Sequence, residues 1–442
     1  MLINGIIRSF NPIGQGSFVT EHFYKNGTEH TNVIFDAGFL KSATKGGETK
    51  AKRLIQGTLA KDTPISAIFI SHLDEDHVGL VPYILHEYHG QVKNIILPRF
   101  SQETVFAYLF WYSAQSMAPA TGKKRWSRNL AQLVTEVARK LGYVSSDEEN
   151  RLLDQSGPNW HFILPYEGER HPPFWEDNNN IEAVDLEQDG FGQTKERSSG
   201  SAFRLVEQSC RWFFVPYHRE VLDGKYKAQI FWKQLIKSFS QCFQYGSYHL
   251  SRPFFSGDPN ALTKLRKLSE CVLSQKSNYS RLKGIYEKTW GDRNRDSMVV
   301  ASFTSSDCDI QPYYDIPIIP RRFWFDACLY ECDFFHLLPA AEPGALYTGD
   351  SNAAELPLEI LKRNLSVSQN IGSIQVPHHG SARSWDSRLA LASATLYFAS
   401  YGSSNIYGHP APKVARDLVS NFKVPLFYNE HSPPYIQVYR FI

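Results

Sequence analysis

Apolar and polar residues alternate in short blocks at both ends of the chain and fall into helical periods in its middle. Residues 18–23 and 33–35 are β-favouring runs parted by the turn-prone Lys25-Asn26-Gly27, and the second runs into Asp36-Ala37-Gly38. Residues 65–70 form a compact apolar block, the mark of a strand buried on both faces. Polar Ser71-His72-Leu73-Asp74-Glu75-Asp76-His77 follows it, and then Val78, Val81, Ile84 and Leu85 recur at helical spacing. Residues 95–97 predict another strand. The C-terminal third repeats this pattern, with 345–348 running into Gly349-Asp350, 374–376 into Pro377-His378-His379-Gly380, and 395–399 leading to Tyr407-Gly408-His409-Pro410. Strands interleaved with helices predict an α/β fold, in which a rigid sheet presents loop residues at strand ends.

Residues 101–292 read differently. Ser127 stands as a cap before Leu130, Leu133, Val134, Val137 and Leu141, with Gly142 as a stop. Leu262, Leu265, Leu268 and Val272 share one helical face, whereas 203–205 and 212–215 read as a strand pair. The expected division is therefore a first half-core at 1–100, a largely helical insertion at 101–292 and a second half-core at 293–442. The aromatic stretch at 106–112 reads as helix packing, or as the lining of a closed pocket.

Composition narrows the class. Hydrophobic residues at 42% and aromatics at 14% supply a large core and exclude a disordered chain. A net charge of +2 predicts no polyanion partner by itself. Local clusters are Lys123-Lys124-Arg125-Trp126 with Arg128, and Arg321-Arg322-Phe323-Trp324. No apolar run reaches the roughly 18 residues of a membrane span, and 1–16 lacks a signal-peptide pattern. Six scattered cysteines, with only Cys328 and Cys332 close together, make neither a disulfide scaffold nor a zinc site. They are expected as thiols of a soluble cytoplasmic protein that contacts no membrane.

The candidate chemistry sits at the strand ends. His72-x-Asp74-x-Asp76-His77 is the densest set of metal-ligand types, and mixed imidazole and carboxylate suits Zn²⁺ or Mn²⁺. Helix capping by Asp76 is the plainer reading of that loop. Asp350 follows a strand and a glycine, where a carboxylate can reach into a cleft. Two adjacent imidazoles at His378-His379 cannot both pack in a core, and Gly380 lets the chain turn after them. His409 is the weakest signal, since a buried histidine bonded to backbone reads the same way.

Together these motifs resemble the metallo-β-lactamase fold, and more narrowly the hydrolase domain of ComEC-type competence DNA-uptake proteins. The resemblance rests on Gly14-Gln15-Gly16, Asp36, the His-x-Asp-x-Asp-His variant, Asp296-Ser297-Met298-Val299-Val300, Thr348-Gly349-Asp350, Val376-Pro377-His378-His379-Gly380-Ser381 and Tyr407-Gly408-His409-Pro410, in that order. Departures are Leu80 where a second glycine is usual, Ile13 and Ser17 flanking the Gly-Gln-Gly turn, and no histidine before Ser297, where Asn294 is nearest. The resemblance implies a metallo-β-lactamase-like αββα sandwich with a large, mostly helical insertion. It implies one or two ions of Zn²⁺ or Mn²⁺ per chain. His72 and Asp74 would hold one ion, Asp76, His77 and His379 the other, and Asp350 would bridge them. Asp36 would steady the ligand loop, while Asp76, His378 and His409 would be the catalytic groups.

A metal pair suits phosphodiester hydrolysis, because its transition state spreads negative charge over oxygens that two cations clamp. The leading expectation is a metal-dependent phosphodiesterase or nuclease acting on nucleic acid or another phosphodiester. Two alternatives stay open: hydrolysis of a small ester, lactone or thioester under a lid, and a metal-poor scaffold that uses 101–292 as a protein-partner surface. Phosphate-binding-loop and serine-hydrolase chemistry have no anchor, since neither glycine-rich pattern is present.

Overall fold

The computed structural model describes residues 4–40, 47–118, 124–144, 157–166, 183–187, 192–207, 210–218, 223–243, 258, 260–290, 297–304, 308, 310–312, 336–337, 342–356 and 371–441. They fall into two compact units: Met1–Pro98, Gln155–Arg219 and Asp296–Ile442 form one, and Arg99–Asp154 with Glu220–Arg295 the other. The stretch read from sequence as one insertion is thus shared between them.

The first unit is built from two sheets. Its strands are β1 (Gly5–Phe10), β2 (Val19–Lys25), β3 (Thr28–Phe35), β4 (Ile65–Phe69), β5 (Asn94–Pro98), β6 (Asn159–Ile163), β7 (Ala183–Asp185), β8 (Thr194–Arg197) and β9 (Ala202–Glu207). They continue with β10 (Cys210–Tyr217), β11 (Val299–Thr304), β12 (Ile310–Pro312), β13 (His336–Leu337), β14 (Gly344–Tyr347), β15 (Ile371–Gln375), β16 (Leu396–Ser400), β17 (Val424–Tyr428) and β18 (Tyr435–Phe441). One sheet runs β12-β18-β1-β2-β3-β4-β5-β6-β8, with β13 also on β18; the other runs β17-β16-β15-β14-β11-β10-β9-β7. The expected strand pair is real, with Phe203 opposite Phe214 and Leu205 opposite Trp212, and it extends the second sheet.

Alternation along each strand sorts side chains into layers. Val33, Phe35, Ala67 and Phe69 from the first sheet meet Phe203, Phe214, Val300, Tyr347 and Phe398 from the second in one core. Phe35 stacks on Tyr347 with ring centroids 3.6 Å apart. The opposite face of the second sheet carries Val215, Ala301, Ile374 and Tyr397, covered by Leu389, Val414 and Leu418 from helical segments and by Trp385 from a loop. On the first sheet the alternate residues Ile34 and Ile68 are also fully buried, as are Leu54, Ile55 and Ile84 of the helices Gly47–Thr58 and Val81–Glu87. The α/β class and the αββα sandwich expected from sequence are what this unit forms.

A charged network crosses the inter-sheet core. Arg8 on β1 and Glu21 on β2, both fully buried, pair at 2.8 Å. From the facing sheet the Tyr347 hydroxyl donates to Glu21 at 2.7 Å and Ser302 Oγ donates at 2.8 Å. Arg8 also donates to Gln437 Oε1 at 3.0 Å and to the Pro343 carbonyl at 2.8 Å. Every member is bonded on several sides, the condition under which a buried pair is tolerated.

The second unit is helical. Phe110 on Gln102–Met117 packs against Phe231 and Trp232 on Asp223–Ser238, and Trp111 stacks on Tyr286 of Lys276–Trp290 at 4.1 Å. The aromatic stretch 106–112 is therefore helix packing. Gly142 ends the helix Lys124–Lys140 at φ +72°, as expected. Ser127 corrects the capping expectation: it lies within that helix and donates to Gln115 Oε1 at 3.0 Å. The thiol expectation is corrected as well. Cys210 is bonded to Cys308 in the first unit, and Cys242 to Cys271 in the second. Linear spacing hides both pairs, because 98 and 29 residues separate the partners. Cys328 and Cys332 lie outside the described residues.

Two measurements probe these interiors. Glu21→Ala strands the Arg8 charge, and the midpoint of urea unfolding is expected to fall by the equivalent of about 3–5 kcal/mol. His161 and His218 are buried, and burial pushes both imidazoles down to about 4 from an ordinary 6.5; Arg197 and Lys195 add to the effect at His161. The unfolded chain then binds protons that the folded chain refuses, so their contribution is whole above pH 6.5 and is lost as pH falls towards 4. A urea midpoint that drops over this window, less steeply in His161→Asn, is the expected outcome.

Candidate metal centre

Parallel pairing decides where the polar loops open. β3 pairs parallel with β4, β14 with β15, and β15 with β16. Within each sheet their C-terminal ends therefore lie on one side. Those ends carry Asp36, the loop from Ser71 to His77, Asp350, the tandem histidines and Ser400. Asp36, His378 and His379 take positive φ of 52°, 51° and 53°, a region costly for residues with a side chain. Such strain persists only where the surroundings over-determine it.

Close backbone approaches hold the loops together. A Cβ on Gly38 would lie 2.4 Å from the His77 nitrogen, and one on Gly349 would lie 2.5 Å from Ser297 Oγ. The Gly-Gln-Gly turn and the serine after it tie several of them: Ser17 N donates to the Asp76 carbonyl at 2.9 Å, and Gly402 N to Gln15 Oε1 at 3.2 Å. Gln375 Oε1 accepts from the backbone of both Thr348 and Gly349 at 3.0 Å, which sets the turn bearing Asp350.

Asp350 is the centre of the cluster. Its Oδ1 lies 3.0 Å from His77 Nε2 and 3.8 Å from His379 Nε2. Its Oδ2 lies 3.6 Å from His378 Nε2 and 3.8 Å from His72 Nε2. Asp74 Oδ2 is 3.6 Å from His72 Nε2, and Asp76 Oδ2 is 3.3 Å from His379 Nε2. All four imidazoles turn Nε2 inward because Nδ1 is engaged elsewhere. His77 Nδ1 donates to Asp36 Oδ2 at 2.7 Å, and His379 Nδ1 to the Ser400 carbonyl at 3.0 Å. His72 Nδ1 meets Ser71 Oγ at 3.0 Å and Ser297 Oγ at 3.1 Å, and His378 Nδ1 meets Ser384 Oγ at 3.2 Å. This is how outer partners fix the tautomer of metal-ligating histidines.

Electrostatics follow from crowding. Burial opposes ionisation of Asp350, but His378, His77 and His379 outweigh it and hold the carboxyl well below its usual range. Burial opposes the charge on His77 too, yet Asp350 and Asp36 raise it well above its ordinary value. At His378 burial prevails over Asp350, and the imidazole is lowered.

The donor set fits a divalent cation. Asp76, His77, Asp350 and His379 each offer one ligand atom, all within 4.8 Å of one another, and His72, Asp74 and Asp76 make a second such group. Nε2 of His72, His77 and His379 and Oδ1 of Asp350 are buried and make no well-aligned hydrogen bond among the described residues. Buried polar atoms in that condition are costly unless something binds them. Asp76, the residue expected as a cap, lies inside the short helix Glu75–Val78, whose N-cap position is Asp74, with no side-chain capping bond.

His72, Asp74, Asp76, His77, Asp350 and His379 thus converge, with His378 against Asp350 and His409 one ring farther out, 5.6 Å from His378. Asn294 lies outside the described residues. Ser71 and Ser297 contact His72, Ser384 contacts His378, and Gln375 holds the turn before Asp350, contacts that sequence reasoning misses. Ser71 and Ser297 do carry a signal, since each stands beside a recognisable motif. Of the basic clusters, Lys123 and Arg321-Arg322-Phe323-Trp324 lie outside the described residues, Trp126 is buried, and Arg125 and Arg128 are exposed. No helix among the described residues is long and apolar enough to cross a membrane.

No protein-family profile and no curated protein matches the chain. Among solved structures, one match is human tRNase Z, short form, at 13% identity and a TM-score of 0.22, covering 48% of this chain and 60% of that one. The chain thus spans about three fifths of the length of the structure it matches.

If Asp36 orients His77, Asp36→Asn is expected to weaken divalent-ion binding about 10–100-fold. Competition against a chelating dye, with Zn²⁺ and Mn²⁺ in separate titrations, measures it; unchanged affinity would remove Asp36 from the site.

Proposed function

We propose that this chain is a divalent-metal-dependent hydrolase that cleaves phosphodiester bonds, with a nucleic acid or nucleotide as the substrate class. One observation carries the reading: the buried Asp350 carboxylate turns Oδ1 towards His77 and His379, and Oδ2 towards His72 and His378. A carboxylate shared in this way is what two neighbouring cations require. On this reading His72 and Asp74 would hold one ion, Asp76, His77 and His379 would hold the other, and Asp350 would serve both. Imidazole nitrogen and carboxylate oxygen suit Zn²⁺ or Mn²⁺.

When bound, such a pair supplies ionised water near neutral pH and neutralises charge on phosphoryl oxygens. Hydrolysis joins the oxygen of water to phosphorus, breaks one P–O ester bond and returns a proton to the departing oxygen. Asp76, a member of both candidate ligand groups, would orient the attacking water. His378, neutral by burial and in contact with Ser384, would donate a hydrogen bond to a phosphoryl or leaving oxygen. Burial, with His378 and His379 adding to it, lowers His409 to about 4, so it backs His378 as a neutral ring. The two disulfides fit a compartment where such bonds persist better than the reducing cytoplasm expected from sequence.

Metal-loaded protein is expected to cleave at least one of single-stranded DNA, RNA, a cyclic nucleotide and a nitrophenyl phosphodiester. Chelation should abolish turnover, and Asp76→Ala should lower kcat/KM by about a hundredfold or more. Failure on all four substrates, with metal content the same in wild type and Asp76→Ala, would sink the reading.

A further inference from the structure

A row of rings leads outward from the metal cluster. His378, with Nε2 3.6 Å from Asp350, is followed by His409 at a ring-centroid distance of 5.6 Å and an interplanar angle of 33°. Tyr407 follows His409 at 5.9 Å and 26°. These spacings lie within the range of favourable aromatic pairing, roughly 4.5–7 Å. Exposure climbs along the row: the His378 side chain is 17% exposed and Tyr407 54%, while Ile406 beside it reaches 91%.

The loop bearing this tip is held in place. Asn405 donates to the carbonyls of Gly402 and His409 at 2.6 and 3.1 Å, and its Oδ1 accepts from His409 N at 3.2 Å. On the inner side Ala411 N donates to the Gly380 carbonyl at 2.9 Å, tying the loop to the turn after the tandem histidines. A lone exposed isoleucine needs no explanation. An isoleucine and a tyrosine on a braced loop, at the outer end of a ring series that starts at the cluster, form a platform of definite orientation.

We propose that Tyr407, edged by Ile406, is a base-stacking subsite that receives the base of a nucleotide next to the bond being cut. The naming of that ligand as a nucleotide rests on the phosphodiesterase reading. The physical basis is that every nucleobase presents a flat π-face, so an aromatic platform binds with little regard to sequence. The chain would then favour diesters that carry a base over diesters of the same charge without one. Tyr407 acts in this account as a specificity-determining residue, and the bond-breaking groups lie inward of it.

The experiment has two arms on the full chain. In the first, a single-stranded dinucleotide containing 2-aminopurine is titrated with chelator present, so that no bond is cut, and quenching of its fluorescence reports stacking. Tyr407→Ala is expected to weaken this binding about five- to a hundredfold, and Tyr407→Trp to restore it. In the second, metal-loaded protein hydrolyses a dinucleotide and its abasic counterpart. The ratio of kcat/KM for the two is expected to fall about tenfold in Tyr407→Ala, through KM rather than kcat. Equal quenching in wild type and Tyr407→Ala, or equal losses on base-bearing and abasic diesters, would overturn the subsite. If no diester is cut by the wild type, the diesterase reading falls, and the chelator arm still decides whether Tyr407 stacks a base.

Discussion

A carboxylate can remain ionised in a dry interior only if positive or hydrogen-bonding groups surround it. Asp350 is that carboxylate here, only 3% exposed and ringed by the inward nitrogens of four histidines. Each of those nitrogens faces inward because the far side of its ring is engaged by Asp36, Ser400, Ser384, or Ser71 and Ser297. The cluster is thus built from the outside: outer hydrogen bonds choose the tautomer, and the tautomer chooses what the centre can hold.

The sheets make this possible by being stiff. Tyr347, the last residue of β14, bonds Glu21 across the core, and Asp350 follows three positions later. Gln375, the last residue of β15, clamps the intervening turn before the chain reaches His378. The buried Arg8–Glu21 network therefore bears on the site as well as on the sandwich, since it ties the strand that delivers Asp350 to the opposite sheet. Left-handed backbone at Asp36, His378 and His379 is sustained by the same bracing.

Much of the centre is legible in the sequence because its chemistry is concentrated at strand ends. An apolar block followed by His72-x-Asp74-x-Asp76-His77, and another followed by His378-His379-Gly380, mark themselves by the abruptness of the change from apolar to polar. Gln375 does not stand out, since glutamine occurs everywhere, and Ser71 and Ser297, though each stands beside a recognisable motif, gain their roles only through partners far along the chain. The disulfides escape for the same reason, as does the assignment of β6–β10 to the sheet unit: each is a long-range pairing with no local signature. Ser127 misleads in the opposite direction, because a favoured capping residue also serves inside a first turn when its hydroxyl finds Gln115.

Local periodicity by itself determined the α/β class, the strand ends that carry the clustered histidines and carboxylates, and the types of donor available, because burial period and side-chain chemistry are properties of short stretches. Tertiary structure alone decided that Asp350 divides its two oxygens among four imidazoles, that Arg8 is neutralised between the sheets, and that Tyr407 lies at the outer end of a row of rings beginning beside the cluster. Those are distances between residues far apart in the chain. They are fixed only when parallel strands set their loops side by side and the packed core holds them there.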